Sequence, residues 1–63
     1  MVINMKYAIY FYWNDGETSS INVKDAKIRN KVIKESKKIV DIIGCAYSFI
    51  YKSGEYAKRV KAF

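Results

Sequence analysis

The chain lacks histidine, proline, leucine and glutamine, and it has one cysteine and three glycines among 63 residues. Without histidine, it lacks the commonest general base and metal ligand. Cys45 has no second cysteine with which to form an intramolecular disulfide or a zinc site. Three scattered glycines cannot form a glycine-rich phosphate loop. We therefore expect a protein that is not an enzyme and that holds no metal or cofactor.

The remaining candidates for chemistry have ordinary structural explanations. Cys45 falls on the apolar side of an alternating segment, which predicts a small buried hydrophobic residue and not a nucleophile. The carboxylates are explained as turn, cap or ion-pair residues. They are Asp15, Glu17, Asp25, Glu35, Asp41 and Glu55.

Long apolar runs are also missing. No segment approaches the roughly 20 residues needed to span a membrane, and the start of the chain lacks the charged region and apolar core of a signal peptide. A single cysteine fits a reducing compartment. We expect a cytoplasmic protein without membrane contact. The wealth of Ile, Lys, Tyr and Asn fits an AT-rich genome, whether bacterial, archaeal or viral, and for a virus the compartment would be the host cytoplasm.

Apolar and aromatic residues are plentiful, at 51% and 16% of the chain, which predicts one folded domain over residues 1–63. Because leucine is missing, the core must be built from β-branched and aromatic side chains, which favours a sheet. The formal net charge is +6. This charge favours anionic partners such as nucleic acid, and it is equally explained by solubility.

The first half of the chain predicts a β-hairpin. Residues 5–13 alternate between two faces, and residues 14–16 fit a three-residue loop that ends in Gly16 with positive φ. This loop places Ile9 opposite Ile21, whereas a two-residue loop would place Ile9 opposite Asn22. Because a slip of one residue moves every side chain to the other face, the apolar match favours the three-residue loop.

A long helix is predicted next, starting near Asp25 as N-cap and ending at Gly44 as the residue after the C-cap. Its apolar stripe follows steps of three and four, and lysines form a stripe on the opposite side. The apolar residues are Ala26, Ile28, Val32, Ile33, Ser36, Ile39, Val40 and Ile43, and the lysines are Lys27, Lys31, Lys34 and Lys38. We expect Ile28, Val32, Ile39 and Ile43 to be buried against Ile9, Phe11, Tyr47 and Phe49.

A second hairpin is predicted from residue 45 onward, with residues 45–52 as its first strand and a two-residue turn at residues 53–54. This register pairs Lys52 with Glu55 and Tyr51 with Tyr56, both favourable pairs across strands. It also pairs Tyr47 with Val60 and Phe49 with Lys58. Lys58 is expected at a sheet edge, where its ammonium group can reach water.

The elements predict an α+β fold in the order ββαββ, a four-stranded antiparallel sheet of two hairpins with one helix packed on one face. The other sheet face then has nothing from the chain to cover it. Basic residues and tyrosines alternate there, as in surfaces that bind single-stranded nucleic acid. The candidate binding residues are Lys6, Tyr10, Tyr12, Lys24, Ile50, Lys52, Arg59 and Lys61, with Ser20 and Asn22 beside them.

Other uses of these surfaces remain open. The open face can also bind protein, form a homodimer or be solvated, and the helical lysines form a secondary basic face that is either solvated or phosphate-binding. We expect a small basic non-catalytic module that binds nucleic acid or a nucleoprotein complex. In size and element order the whole chain resembles small phage-encoded proteins that inhibit host enzymes or defence complexes. That resemblance implies the alternative, an inhibitor that binds a host protein.

Overall fold

A computed structural model of the protein describes residues 4–63. The first three residues, which belong to the segment predicted not to be a signal peptide, lie outside the described residues. The elements are β1 (Tyr7–Trp13), β2 (Thr18–Val23), α1 (Ala26–Ser36), β3 (Ile42–Phe49) and β4 (Val60–Lys61). The four strands form one antiparallel sheet in the order β2-β1-β3-β4. The predicted α+β fold is confirmed, and β1 and β3 lie at its centre.

The first hairpin has the predicted register. Ile9 lies opposite Ile21, and the Trp13 N–H donates to the Glu17 carbonyl across a three-residue loop, at 2.9 Å. Gly16 has a φ of 89°, as the loop requires. The Asp15 carboxylate accepts from the Glu17 N–H at 2.9 Å, which supports the turn from its own side chain.

The helix starts as predicted but ends eight residues before the predicted Gly44. The Asp25 carboxylate accepts from the Ile28 N–H at 2.8 Å and caps the first turn. After Ser36, successive hydrogen bonds to the residue three positions earlier turn the chain toward the sheet. The predicted helix end was therefore wrong, and Lys38 lies beyond the helix and not on its lysine stripe.

Strand pairing explains why the helical pattern stops. Ile42 begins β3 and pairs with Trp13, so the residues that continue the helical spacing are needed for the sheet. A bulge falls between the Trp13–Ile42 and Tyr12–Gly44 pairs and leaves Ile43 68% exposed. The predicted burial of Ile39 and Ile43 was wrong for the same reason, and Val40 of the predicted apolar stripe is also exposed. Gly44 is a strand residue packed against Tyr12.

The second hairpin begins three residues earlier than predicted and has a different loop. The Tyr51 N–H donates to the Glu55 carbonyl at 2.9 Å, which repeats the pattern of the first hairpin with a three-residue loop at residues 52–54. Gly54 takes the positive φ, at 90°. The predicted two-residue turn was wrong, and Tyr56 pairs with Ile50 instead of Tyr51.

Further from this loop the predicted register is recovered. Tyr47 pairs with Val60, as expected. The Ala57 N–H donates to the Phe49 carbonyl at 2.8 Å, in the register set by the loop. The two registers differ by one residue, so the chain gains one residue between Ala57 and Val60, and only two residues of the last segment form a strand. Lys58 in this irregular stretch is exposed.

The main core lies between α1 and the sheet. Its buried members are Ile9, Phe11, Val23, Ile42 and Cys45. Ile28 and Val32 of the helix pack against them, as predicted, and so does Tyr47. Phe49 is 41% exposed, so its predicted burial was wrong. The short helix has its main contacts with β1 and β2.

The Gly16 turn gives a test of backbone strain. No atom lies within 4 Å of a Cβ built at Gly16, so a side chain there meets only the cost of positive φ. Gly16→Val should lower the free energy of unfolding by about 1–2 kcal/mol in urea denaturation. Gly16→Asn should cost less, because asparagine tolerates this conformation. Equal stability of the valine variant and the wild type would contradict the turn.

The position of the core is tested by a matched pair of isoleucines. Ile9 is fully buried, and Ile9→Ala should lower the free energy of unfolding by about 2–5 kcal/mol. Ile39 is 45% exposed, and Ile39→Ala should cost less than about 1 kcal/mol. Urea denaturation of both variants measures the difference. A larger loss at Ile39 than at Ile9 would mean that the helix extends past Ser36.

Candidate nucleic-acid interface

The sheet face opposite α1, here called the open face, carries the even-numbered residues of β1 and, after the bulge, those of β3 from Gly44 onward. The residues at the centre of this face are buried although no helix covers them. Ala8, Tyr10 and Ala46 form a second buried cluster, and Ser48 is fully buried beside them. The Tyr10 hydroxyl and the Ser48 Oγ are hydrogen-bonded at 2.8 Å, which satisfies both buried polar groups. The prediction that Tyr10 is available for stacking on a base was therefore wrong.

Arg59 lies across this cluster. Its guanidinium carbon stands 3.7 Å from the centroid of the Tyr10 ring, and its Nη1 donates to the Tyr12 hydroxyl at 3.1 Å. These contacts fix the side chain by a cation–π interaction and one hydrogen bond. The bond to Tyr12 raises the pKa of Arg59, whose guanidinium is charged at neutral pH in any case. Among residues 4–63 the one salt bridge joins Lys38 to Glu35, so Arg59 has no acidic partner there.

The predicted site residues fall into two groups on the structure. Lys6, Ile50 and Lys52 line a groove of about 900 Å³ where β1 begins and β3 ends, here called the terminal groove. Tyr12, Arg59 and Lys61 line a smaller groove of about 500 Å³ beside the bulge. Lys24 is exposed and borders neither groove. The structure therefore separates residues that the sequence placed on one continuous face.

The terminal groove also contains aromatic residues that the sequence reasoning missed. Tyr51 and Tyr56 are 50% and 54% exposed, and Phe49 lies beside them. The predicted register placed Tyr51 opposite Tyr56, so both rings were expected to contact each other across the strands and not to bind a partner. In both hairpins the three-residue loop ends in a glycine and is followed by a glutamate, at Gly16-Glu17 and Gly54-Glu55. This similarity in the sequence would have indicated the correct register of the second hairpin.

A row of aromatic rings leads from the helix side of the sheet to this groove. The Tyr7 and Phe49 rings meet edge to face at 5.6 Å, and the Phe49 and Tyr51 rings at 5.4 Å. The guanidinium carbon of Arg29 in α1 lies 4.6 Å from the centroid of the Tyr7 ring and 4.4 Å from that of the Tyr47 ring. Arg29 was not predicted as a site residue, and its cation–π contacts join α1 to β1 and β3.

The predicted secondary basic face is exposed, and three of its four lysines lie on α1. Lys27, Lys31 and Lys34 lie on α1, and Lys38 forms a 3.5 Å ion pair with Glu35. Lys31 borders an apolar cleft of about 350 Å³ that also contains Trp13. The helix therefore offers a row of charges beside a half-buried ring, whereas the terminal groove combines charges with exposed rings.

The described residues contain no group of three or more His, Cys, Asp or Glu side chains that could hold a metal ion. Within the same residues, no helix has the length and apolar character that crossing a membrane requires. Comparisons with protein-family models, curated proteins and solved structures found no match. The proposal of a function therefore rests on the geometry of the two grooves.

Cys45 gives a test of the core beneath the smaller groove. The thiol is 1% exposed, and burial raises its pKa, while a hydrogen bond with Ser36 acts in the opposite direction. Because the thiolate is the reacting species, a disulfide reagent should modify Cys45 far more slowly in the native protein than in urea. The native rate should follow the population of the open state, so each 1.4 kcal/mol of destabilisation, as by Ile9→Ala, should raise it about tenfold. A fast native reaction would contradict the burial.

Proposed function

We propose that the protein is a small non-catalytic module that binds single-stranded nucleic acid, alone or in a nucleoprotein complex, through the terminal groove. The observation that carries the proposal is that Lys6 and Lys52 lie in one groove with the exposed rings of Tyr51 and Tyr56. Cations that hold phosphates and rings that stack on bases are the two parts of a single-strand site.

The chemistry of the groove suits an unpaired strand better than a duplex. Bases that stack on side chains must be unstacked from one another, and a single strand allows this at low cost. Asn4 and Asn22 also line the groove and can donate to and accept from base edges. The net charge of +6 supports the approach of a polyanion from a distance.

Arg59 offers a second anchor on the same protein. Its guanidinium is held by Tyr10 and Tyr12, so less rotamer entropy is lost when it binds a phosphate. Lys61 lines the same small groove. A strand bound in the terminal groove would continue to this position, where Arg59 is exposed and has no acidic partner among residues 4–63.

The second candidate function is a phage- or mobile-element-type inhibitor that binds a host protein. Its supporting observation is the apolar turn after α1, where Ile39, Val40 and Ile43 are 45%, 89% and 68% exposed. Adjacent exposed aliphatic residues on so small a protein favour a protein contact. Ile43 also lines the smaller groove, whereas Val40 lines neither groove, so variants at Val40 and in the terminal groove can test the two functions separately.

The nucleic-acid function is tested by charge reversal. Lys52→Glu and Arg59→Glu should weaken binding to a labelled single-stranded oligonucleotide, measured by fluorescence anisotropy at low salt. Lys31→Glu and Lys34→Glu change the net charge equally but lie on the helix, and they should weaken binding less. Tyr56→Ala should cost about 1–3 kcal/mol for each base that stacks there. Affinity should fall steeply with salt in every variant that binds.

Two results would overturn this proposal. Absence of binding to RNA, single-stranded DNA and duplex DNA at low salt would exclude any nucleic-acid function. Equal losses from the helical and groove charge reversals, with Tyr56→Ala unaffected, would exclude the groove. The inhibitor function instead predicts that capture of a protein from nuclease-treated lysate is lost with Val40→Asp and kept with Lys52→Glu.

A further inference from the structure

The outer edge of β2 is a strand surface without a partner among residues 4–63. β2 lies at the end of the sheet order, and five of its six residues are exposed. The opposite edge is formed by the two-residue β4. Since a strand edge presents free N–H and C=O groups, an uncovered edge of this length is a template for another strand.

β2 carries none of the features that usually protect such an edge. The sequence of Thr18–Val23 contains no proline and no charged residue. Its register against β1 is continuous from Tyr7–Val23 to Tyr12–Thr18, so no bulge bends it away. Ile21 is 44% exposed on the helix side of the sheet. Lysine, proline and bulges are the common protections, and their absence indicates that this edge is used.

The backbone groups that face outward can be assigned from the hydrogen bonds. The Lys6 carbonyl accepts from Ile50 on the β3 side, whereas Trp13 bonds to Glu17 on the β2 side. Odd-numbered residues of β1 and β2 therefore bond to each other, because alternate residues of a strand direct their backbone groups to opposite sides. Thr18, Ser20 and Asn22 are left with their N–H and C=O groups pointing outward.

We propose that a second copy of this chain pairs with β2 in antiparallel orientation about a two-fold axis that passes beside Ile21. In this register Ile21 lies opposite Ile21 of the second copy, and Ser20 lies opposite Asn22 in two equivalent pairs. The two isoleucines meet on the helix side, while the hydroxyls and amides meet on the open face. No like charges are opposed between Thr18 and Val23.

The alternative register, centred on Ser20, is less complementary. It places Ile21 opposite Ser19 and leaves both isoleucines without an apolar partner. Both registers join outward-pointing backbone groups in hydrogen-bonded pairs, so the side chains distinguish them. A two-fold axis perpendicular to the sheet keeps both helices on one side. The two open faces then form one surface on the other side, and this inference does not depend on what that surface binds.

A cysteine placed on the axis tests the register directly. Opposite residues in a non-hydrogen-bonded pair have Cα atoms about 4.5 Å apart, which lies within the range of a disulfide. Ile21→Cys should therefore form a disulfide-linked dimer rapidly under mild oxidation. Asn22→Cys is the matched control, because the two copies of residue 22 are separated along the strands. The native Cys45 is buried, so the wild type should form no such dimer.

Sedimentation equilibrium tests the association without added cysteines. The wild type should dimerise at high concentration, and Ile21→Lys should raise the dimer Kd at least about tenfold. Ser20→Pro should do the same, because the N–H that it removes points outward and β1 pairing is kept. Circular dichroism checks the fold of both variants.

The outcomes that overturn the proposal are specific. A wild type that stays monomeric at its highest soluble concentration would exclude the dimer. Disulfide formation by Ile21→Cys no faster than by Asn22→Cys would exclude the pairing, even if Ser20→Pro fails to fold. Rapid cross-linking of Ser20→Cys in place of Ile21→Cys would overturn the register, because residue 20 lies on the axis only in the alternative one.

Discussion

The pairing of β1 with strands on both sides is the constraint on which the rest of the molecule depends. β1 is the strand with long partners at both edges, β2 through the tight hairpin and β3 from beyond the helix. Both of its faces are buried, with Ile9 fully buried on the helix side and Ala8 at 1% exposure on the other. The register of β1 therefore determines where α1 must end, which rings close the open face and which strand is left at the edge.

Local chemistry predicts the parts of the fold that local contacts determine. The Gly16 turn, the Ile9–Ile21 pair and the Asp25 cap involve residues close in sequence, and all three are present as expected. The predicted loop of the second hairpin was one residue too short, because a two-residue turn gave favourable side-chain pairs across the strands. The structure instead has a three-residue loop, in which the Ser53 Oγ accepts from the Glu55 N–H at 3.4 Å.

The errors arise where distant parts of the chain compete for the same residues. The spacing of Ile39, Val40 and Ile43 satisfies a helix, but Ile42 is required opposite Trp13, and the pairing of eight strand residues outweighs two further helical turns. The contact between Arg59 and Tyr10 could not be predicted from the sequence either. It depends on the order of the strands across the sheet, which no local sequence pattern determines. For the same reason the candidate site was predicted as one face and is found as two grooves.

One short helix cannot cover both faces of a four-stranded sheet, and the chain solves this without a second layer. The Tyr10 hydroxyl and the Ser48 Oγ are hydrogen-bonded to each other, and the guanidinium of Arg59 lies over the Tyr10 ring while its charge stays at the surface. The centre of the open face is thereby closed to stacking. The exposed aromatic rings lie instead at the end of the sheet, where Tyr51 and Tyr56 flank the loop of the second hairpin. The packing that closes the second face therefore leaves the exposed aromatic rings at the end of the sheet and not at its middle.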